Sequence, residues 1–169
     1  MIKLRELNVH DSEYMLEWMK DPDVNKYFKH DFESETIESV KKFIDGSKID
    51  MENGLNYNYA IVNLYDEYLG TVSLKNVDRY SLNAELAISI RKKSQGVGIG
   101  ELSIRKILNI AFENLNLEKV YLSVRSDNLR AIYLYEKVGF KLEGEFRNHI
   151  RVNEKYISLK WYGLLKSEI

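Results

Sequence analysis

Residues 95–100 read Gln-Gly-Val-Gly-Ile-Gly and lie between a predicted strand that ends at Ile90 and a predicted helix over 98–114. Glycine at three of these positions costs backbone entropy, so the turn requires conformations or close contacts that a side chain would prevent. Such a turn aims several N–H groups at one point, and the following helix adds unpaired donors and partial positive charge. The stretch therefore predicts a cradle for an anion such as a phosphate or a diphosphate.

Three known glycine patterns compete for this turn. A Walker P-loop requires Lys and then Ser or Thr after its last glycine, whereas Glu101 follows here. A dinucleotide fingerprint requires a glycine at position 101, where the chain has Glu101, and an acidic residue at the end of the next predicted strand, where the chain has Arg125. The pattern Q/R-x-x-G-x-G/A fits in full, as Gln95, Gly98 and Gly100. The structural alternative is a tight strand-to-helix turn without a ligand, because glycine also occurs in ordinary loops.

A second motif follows at residues 128–140, which read Asn-Leu-Arg-Ala-Ile-Tyr-Leu-Tyr-Glu-Lys-Val-Gly-Phe. With both motifs in this order, the chain resembles the GCN5-related N-acetyltransferase (GNAT) superfamily. In that family the first motif holds the pyrophosphate of acetyl-CoA, and the second lines the other side of the thioester. The resemblance covers residues 57–149 most firmly. The segments near both ends resemble the Rim-type subgroup of ribosomal-protein, polyamine and amino-sugar acetyltransferases.

The resemblance implies a role for each matching residue. Asn128 would contact the pantetheine or phosphate arm, and Tyr135 would protonate the leaving thiolate. The strand that ends at Ile90 would separate from its neighbour and pair with pantetheine through main-chain groups. The residues implied in acetyl-CoA binding are Ile88, Ile90, Gln95, Gly96, Val97, Gly98, Ile99, Gly100, Glu101 and Asn128.

Each of these side chains also has a purely structural interpretation. Asn128 is a good N-cap residue for its helix. Tyr135 lies on the inward stripe of the same helix, where a buried tyrosine with a satisfied hydroxyl is common. Glu85 is the best candidate for a general base, because it shares a strand face with the small residues Ala87 and Ser89, which leave space above its carboxylate. In the structural interpretation, Glu85 is a strand residue that faces solvent or forms an ion pair.

The order of predicted elements indicates an α/β (α+β) fold, in which one mixed and mostly antiparallel sheet of about six or seven strands is flanked by about four helices. We expect a single acetyltransferase domain over 1–169, because the chain contains one proline and no Gly/Ser-rich linker. Strands are predicted at 2–6, 57–64, 68–75, 84–90, 119–125, 140–149 and 155–164. Helices are predicted to begin at Asp11 or Ser12 and at 34–36, and to span 98–114 and about 128–137.

Composition excludes several classes of protein. The chain has 169 residues and a net charge of −1, which is typical of one soluble domain and not of a general nucleic-acid binder. No apolar run approaches the roughly 20 residues of a membrane helix, and the N-terminus has no signal-peptide pattern. The absence of cysteine excludes disulfides and thiolate metal sites and fits a cytoplasmic location. His10, His30 and His149 lie far apart in the sequence, so no metal is expected.

We therefore expect acetyl transfer from acetyl-CoA to a primary amine of a small molecule, an amino sugar or a polyamine, by direct attack in a ternary complex. The alternatives are acetylation of a protein α-amino group and a catalytically silent acyl-CoA-binding sensor. The acidic residues between 21 and 33 predict either a rim that attracts a cationic amine or solvated helix ends. The basic run 91–93 is expected at the rim of the anion cradle or in a solvated turn. An apolar face of the last hairpin, with Leu159 and Trp161, favours core packing or a homodimer.

Overall fold

The computed structural model describes residues 1–169. Seven strands form one sheet in the order β1-β2-β3-β4-β5-β7-β6, in which the β4–β5 pair is parallel and every other pair is antiparallel. The strands are β1 (Lys3–Glu6), β2 (Tyr57–Val62), β3 (Tyr68–Asp78), β4 (Asn83–Ile90), β5 (Lys119–Arg125), β6 (Lys141–Val152) and β7 (Lys155–Leu165). The helices are α1 (Ser12–Lys20), α2 (Pro22–Asn25), α3 (Ile37–Glu52), α4 (Ile99–Asn109) and α5 (Leu129–Val138). The predicted fold class is confirmed.

The two faces of the sheet carry separate hydrophobic cores. The larger core packs α4 and α5 against β3, β4, β5 and β7, with Ile104 and Leu122 among its fully buried members. The smaller core packs α1, α2 and α3 against β2 and the start of β3, with Met15 and Ile44 at its centre. Each helix buries one apolar stripe, as the spacing of its apolar residues predicts.

The structure differs from the sequence-based prediction in a few boundaries. The helix expected over 98–114 is α-helical only to Asn109 and continues as one π-helical turn over Ile110–Asn114. A fifth helix, the single turn α2, forms because Pro22 occupies its first position and the Asp21 side chain accepts a hydrogen bond from the Asp23 amide. β3 extends past Lys75 to Asp78 through a bulge. No helix is long and apolar enough to cross a membrane.

Strands β3 and β4 approach unusually closely at Gly70. A Cβ atom at this position would lie 2.3 Å from the carbonyl oxygen of Ser89 and 3.0 Å from the Cα of Ile90. Main-chain atoms cannot yield as a flexible side chain can, so only glycine allows β3 to support the last residues of β4. The shape of β4 near Ile90 therefore depends on this glycine.

We predict that Gly70→Ala lowers the free energy of unfolding by about 1–3 kcal/mol, because the added methyl group forces β3 and β4 apart. Gly46→Ala is the matched control. A Cβ at Gly46 has no neighbour within 4 Å and the position is inside α3, so alanine there should stabilise the protein by up to about 1 kcal/mol. Urea titration of both variants measures the difference. Equal stabilities of the Gly70 variant and the parent would contradict the packing argument.

Candidate active site

A cleft of about 750 Å³ opens where β4 and β5 separate. The two strands pair only at their beginnings, from Asn83 opposite Lys119 to Glu85 opposite Tyr121. On its other edge β5 pairs with β7 along its whole length, whereas beyond Glu85 the edge of β4 that faces the cleft has no strand partner as far as Ile90. The exposed main-chain edge needs hydrogen-bond partners from water or from a bound molecule.

The glycine turn forms one end of this cleft. Gly96 and Gly98 have φ angles of +84° and +82°, which residues other than glycine rarely adopt. The first hydrogen bond of α4 joins the Leu102 amide to the Gly98 carbonyl at 3.2 Å. None of the amides from Gly96 to Glu101 donates to another main-chain group. The turn therefore offers an uninterrupted run of donors beside a helix N-terminus, which fits a diphosphate.

Gln95, which the sequence predicted among the residues that bind acetyl-CoA, makes hydrogen bonds within the chain. Its amide donates to the Lys92 carbonyl at 3.2 Å, so this amide is not a free donor of the cradle. Its side-chain Nε2 donates to the Ile90 carbonyl at 2.9 Å, and its Oε1 accepts from Arg130 Nη1 at 2.8 Å. Gln95 thereby ties the end of β4 to the first turn of α5 across the glycine turn.

The basic run after β4 also differs from expectation. The Arg91 side chain is only 4% exposed, donates from Nε and Nη2 to the Glu17 carboxylate, and donates from Nη1 to the Tyr68 carbonyl at 3.0 Å. Lys92 and Lys93 each form an ion pair with an exposed carboxylate. The expectation of a free basic rim is wrong for Arg91, because it is buried and anchors the end of β4 to α1.

The residues that the sequence singled out converge on this cleft. All of them except Val97 and Ile99 line it. The Val97 side chain is exposed and the Ile99 side chain packs against the larger core, while the amides of both belong to the unpartnered run. The sheet topology thus brings residues from β4, the glycine turn and α5 to one place.

Tyr135 reaches the cleft from α5 and belongs to the larger core. Its side chain packs edge-on against Phe140, with ring centroids 5.9 Å apart. Burial raises the pKa of the Tyr135 hydroxyl to about 12, and no neighbouring charge or hydrogen bond offsets this effect. The hydroxyl therefore stays protonated at neutral pH and can donate to a group bound in the cleft.

Glu85 reaches the cleft from β4. It alternates along the strand with Ala84 and Leu86, which belong to the larger core, so its side chain lies on the other face of the sheet. Glu85 Oε2 accepts a hydrogen bond from Asn76 Nδ2 at 3.0 Å and lies 3.9 Å from Lys75 Nζ. The carboxylate is partly exposed and can accept a further hydrogen bond or a proton from a bound molecule.

Asn128 caps α5, as its structural interpretation predicted. Its Oδ1 accepts from the Ala131 amide at 3.3 Å. The Nδ2 group makes no hydrogen bond within the chain and is available to the cleft that Asn128 lines. Capping and ligand binding are therefore compatible at this residue.

The sequence offered residues 21–33 as an acidic rim or as solvated helix ends, but it gave no sign of the contact with β5 that holds this segment beside the cleft. Residues 26–30, which follow α2, line it together with Arg125 from the end of β5. Arg125 Nη1 donates to the Lys26 carbonyl at 2.8 Å, and its guanidinium lies 5.1 Å from the centre of the Tyr27 ring. A contact between residues 99 positions apart leaves no local signal.

The histidine side chains do not contact one another. His30 bonds to Glu35 at 2.8 Å, and the His149 ring packs against Phe146 with centroids 5.2 Å apart. No group of three or more His, Asp or Glu side chains that could hold a metal ion is present.

Comparison with known proteins agrees with this geometry. The model of the acetyltransferase (GNAT) domain family matches residues 2–141. The putative ribosomal N-acetyltransferase YdaF of Bacillus subtilis is 37% identical over 106 residues, which cover 62% of this chain and 58% of that protein. The spermidine N(1)-acetyltransferase of Escherichia coli K12 is 29% identical over 157 residues, which cover 92% of this chain and 81% of that protein.

A solved structure extends the similarity to the whole fold. The spermidine N-acetyltransferase of Vibrio cholerae, in a complex with CoA and spermine, superposes with a TM-score of 0.89 and covers 99% of this chain and 96% of its own. At 24% identity this likeness shows the fold. Because the family model spans most of the sequence and both glycine-turn and α5 motifs lie in the expected places, the chain belongs to the GNAT acetyltransferase family.

Proposed function

We propose that this protein transfers the acetyl group of acetyl-CoA to a primary amine of a small molecule, an amino sugar or a polyamine. The observation that carries the proposal is the run of unpartnered amides from Gly96 to Glu101 beside the unpaired edge of β4. Family membership supports acetyl-CoA as the donor. Relatives named as spermidine acetyltransferases support a small-molecule amine as the acceptor.

In this proposal the two ends of the cleft bind different parts of acetyl-CoA. The amides of residues 96–101 hold the diphosphate. The main-chain groups of Ile88 and Ile90 and the Nδ2 of Asn128 bind the pantetheine arm. The arm pairs with the edge of β4 much as an added strand would. Leu134 and Gly100 lie against each other beside this path, and a Cβ at Gly100 would lie 3.1 Å from a Leu134 methyl.

Glu85 and Tyr135 approach the thioester from opposite faces of the sheet. The Glu85 carboxylate accepts, directly or through water, a proton from the ammonium group of the acceptor, because only a neutral amine attacks a carbonyl. The amine nitrogen forms a bond to the thioester carbonyl carbon, the nitrogen releases its second proton to water, and the C–S bond then breaks. The Tyr135 hydroxyl donates a proton to the departing sulfur. Holding the amine beside the carbonyl supplies much of the remaining acceleration.

The two alternative functions are an acyl-CoA sensor and an acetyltransferase for protein N-termini. A sensor that only binds acyl-CoA has no need of Glu85 and Tyr135 in the cleft. An enzyme for protein N-termini would use the same donor site and the same two side chains with a peptide as the acceptor. Measurement of thiol release from acetyl-CoA with a panel of amines and one N-terminal peptide tests the proposal. CoA binding without turnover of any amine would favour the sensor.

Three further expectations stay predictions. They are the cytoplasmic location, the homodimer through the last hairpin, and the absence of nucleic acid among the partners. Direct transfer needs no covalent enzyme intermediate, because the thioester is already an activated acyl donor.

We predict that Tyr135→Phe lowers kcat about 10²-fold and changes the KM for acetyl-CoA little, because a proton donor to the leaving group is lost while the binding contacts remain. The raised pKa of the Tyr135 hydroxyl, about 12, also predicts how kcat of the parent enzyme depends on pH. The protonated form is the active one, so ionisation of Tyr135 should not reduce kcat near pH 10, where an exposed tyrosine ionises. Tyr80→Phe, at a fully exposed turn, is the control. Unchanged kcat in the Tyr135 variant would remove this residue from the acid role.

We predict that Glu85→Gln costs most at low pH, where most of the acceptor amine is protonated and needs a base. The loss in kcat/KM should be about 10²-fold near pH 6.5 and should shrink as the free amine accumulates above its pKa. Glu113→Gln is the control, because Glu113 is an exposed residue far from the cleft lining. A ratio of variant to parent rate that stays constant with pH would show that Glu85 is not the base.

A further inference from the structure

The acidic side chains near the acceptor side of the cleft are almost all engaged in other contacts. Asp23 pairs with Lys92 Nζ at 2.5 Å. Asp21 caps α2, and Asp31 accepts from the Glu33 amide at 2.9 Å; neither lines the cleft. The expectation of an acidic rim that attracts a polycation is therefore not supported by the positions of these carboxylates.

The cleft contains few other acids. Glu101 is paired with Lys137 at 2.6 Å and with Arg105 at 3.1 Å, at the glycine-turn end. Glu85 is then the one lining carboxylate without an ion pair shorter than 3.9 Å, and the proposed reaction already uses it at the reacting amine. No carboxylate remains for a second ammonium group of the acceptor.

Cations dominate the acceptor side. Lys26 and Lys29 line the cleft, and neither forms an ion pair. The main chain at Lys26 is held by Arg125, whose own charge is matched by Asp127 at 2.6 Å. Lys75 adds a third ammonium group next to Glu85. Residues 26–30, the part of the cleft lining that is called the mouth here, thus carry two exposed lysines without a carboxylate partner. Lys26 Nζ also lies 5.2 Å from the centre of the Tyr27 ring.

We propose that the physiological acceptor is a primary amine that also carries a negatively charged group, a phosphate or a carboxylate, which Lys26 and Lys29 bind. This inference rests on the proposed acetyl transfer and narrows its acceptor class. The amine lies at Glu85 and the anionic group lies at the mouth. A polyamine places a positive charge where the chain already presents lysines, and this arrangement is electrostatically unfavourable.

A matched series of acceptors tests the proposal with the full-length chain. Glucosamine, glucosaminuronic acid and glucosamine 6-phosphate present the same amine with, at the sixth carbon, no anion, a carboxylate and a phosphate, respectively. We expect kcat/KM to rise along this series by about 10-fold or more in total, mainly through KM, because a phosphate carries close to two negative charges and accepts charge-assisted hydrogen bonds. The increase should shrink at high salt, since both lysines are solvent-exposed. The order within the series distinguishes carboxylate from phosphate as the recognised group.

The charge-reversed variant Lys26→Glu/Lys29→Glu should lose the preference for anionic acceptors, measured within the variant as the ratio of kcat/KM for glucosamine 6-phosphate to kcat/KM for glucosamine. Its control is Lys48→Glu, an exposed lysine of α3 outside the cleft, which should keep the parent preference. Thermal unfolding of each variant verifies that it is folded, and Lys26→Gln/Lys29→Gln provides an intermediate charge.

The outcomes separate this inference from the proposed function. Turnover of glucosamine with no gain for the anionic acceptors, or a higher kcat/KM for spermidine than for glucosamine 6-phosphate, would overturn the inference and leave acetyl transfer intact. The same preference in the parent and in the charge-reversed variant would also overturn it. Turnover of no amine at all would overturn both.

Discussion

The site depends on the separation of β4 from β5 after their first three residue pairs. A strand edge that is buried without partners costs free energy, so this edge is stable only where water or a ligand completes its hydrogen bonds. The separation is maintained from both sides. β5 is committed to β7 along its whole length, and β4 is committed to β3 on its other edge. A molecule with a linear polar arm fits the resulting space.

The contacts around the end of β4 keep this opening in one shape. Gly70 lets β3 lie directly against Ser89 and Ile90. Arg91 ties the next residue of the chain to α1 through Glu17. Gln95 joins the Ile90 carbonyl to α5. These interactions are independent of any ligand, and together they hold the glycine turn at its end of the cleft before a ligand binds.

The sequence predicted the parts of the site that depend on local pattern. The glycine turn, the capped start of α5 and the alternation of Glu85 with core residues follow from spacing and turn chemistry, and the structure places them as expected. The failures concern partners that are distant in the chain. A basic run such as Arg91-Lys92-Lys93 has no visible partner in the sequence, and only the fold brings Glu17 against Arg91. For the same reason the sequence left open whether the acids near α2 form an acidic rim or solvated helix ends, and only the fold shows that Lys92 neutralises Asp23.

The most direct test of the account is an amide NMR titration of the ¹⁵N-labelled chain with CoA and, separately, with pantetheine, which lacks the diphosphate. The account predicts that CoA produces its largest amide shifts at residues 96–101, the amides that make no main-chain hydrogen bond, and that pantetheine leaves them nearly unchanged. Saturable CoA binding that leaves these amides unshifted, or the absence of any CoA binding, would contradict the claim that this turn grips the diphosphate.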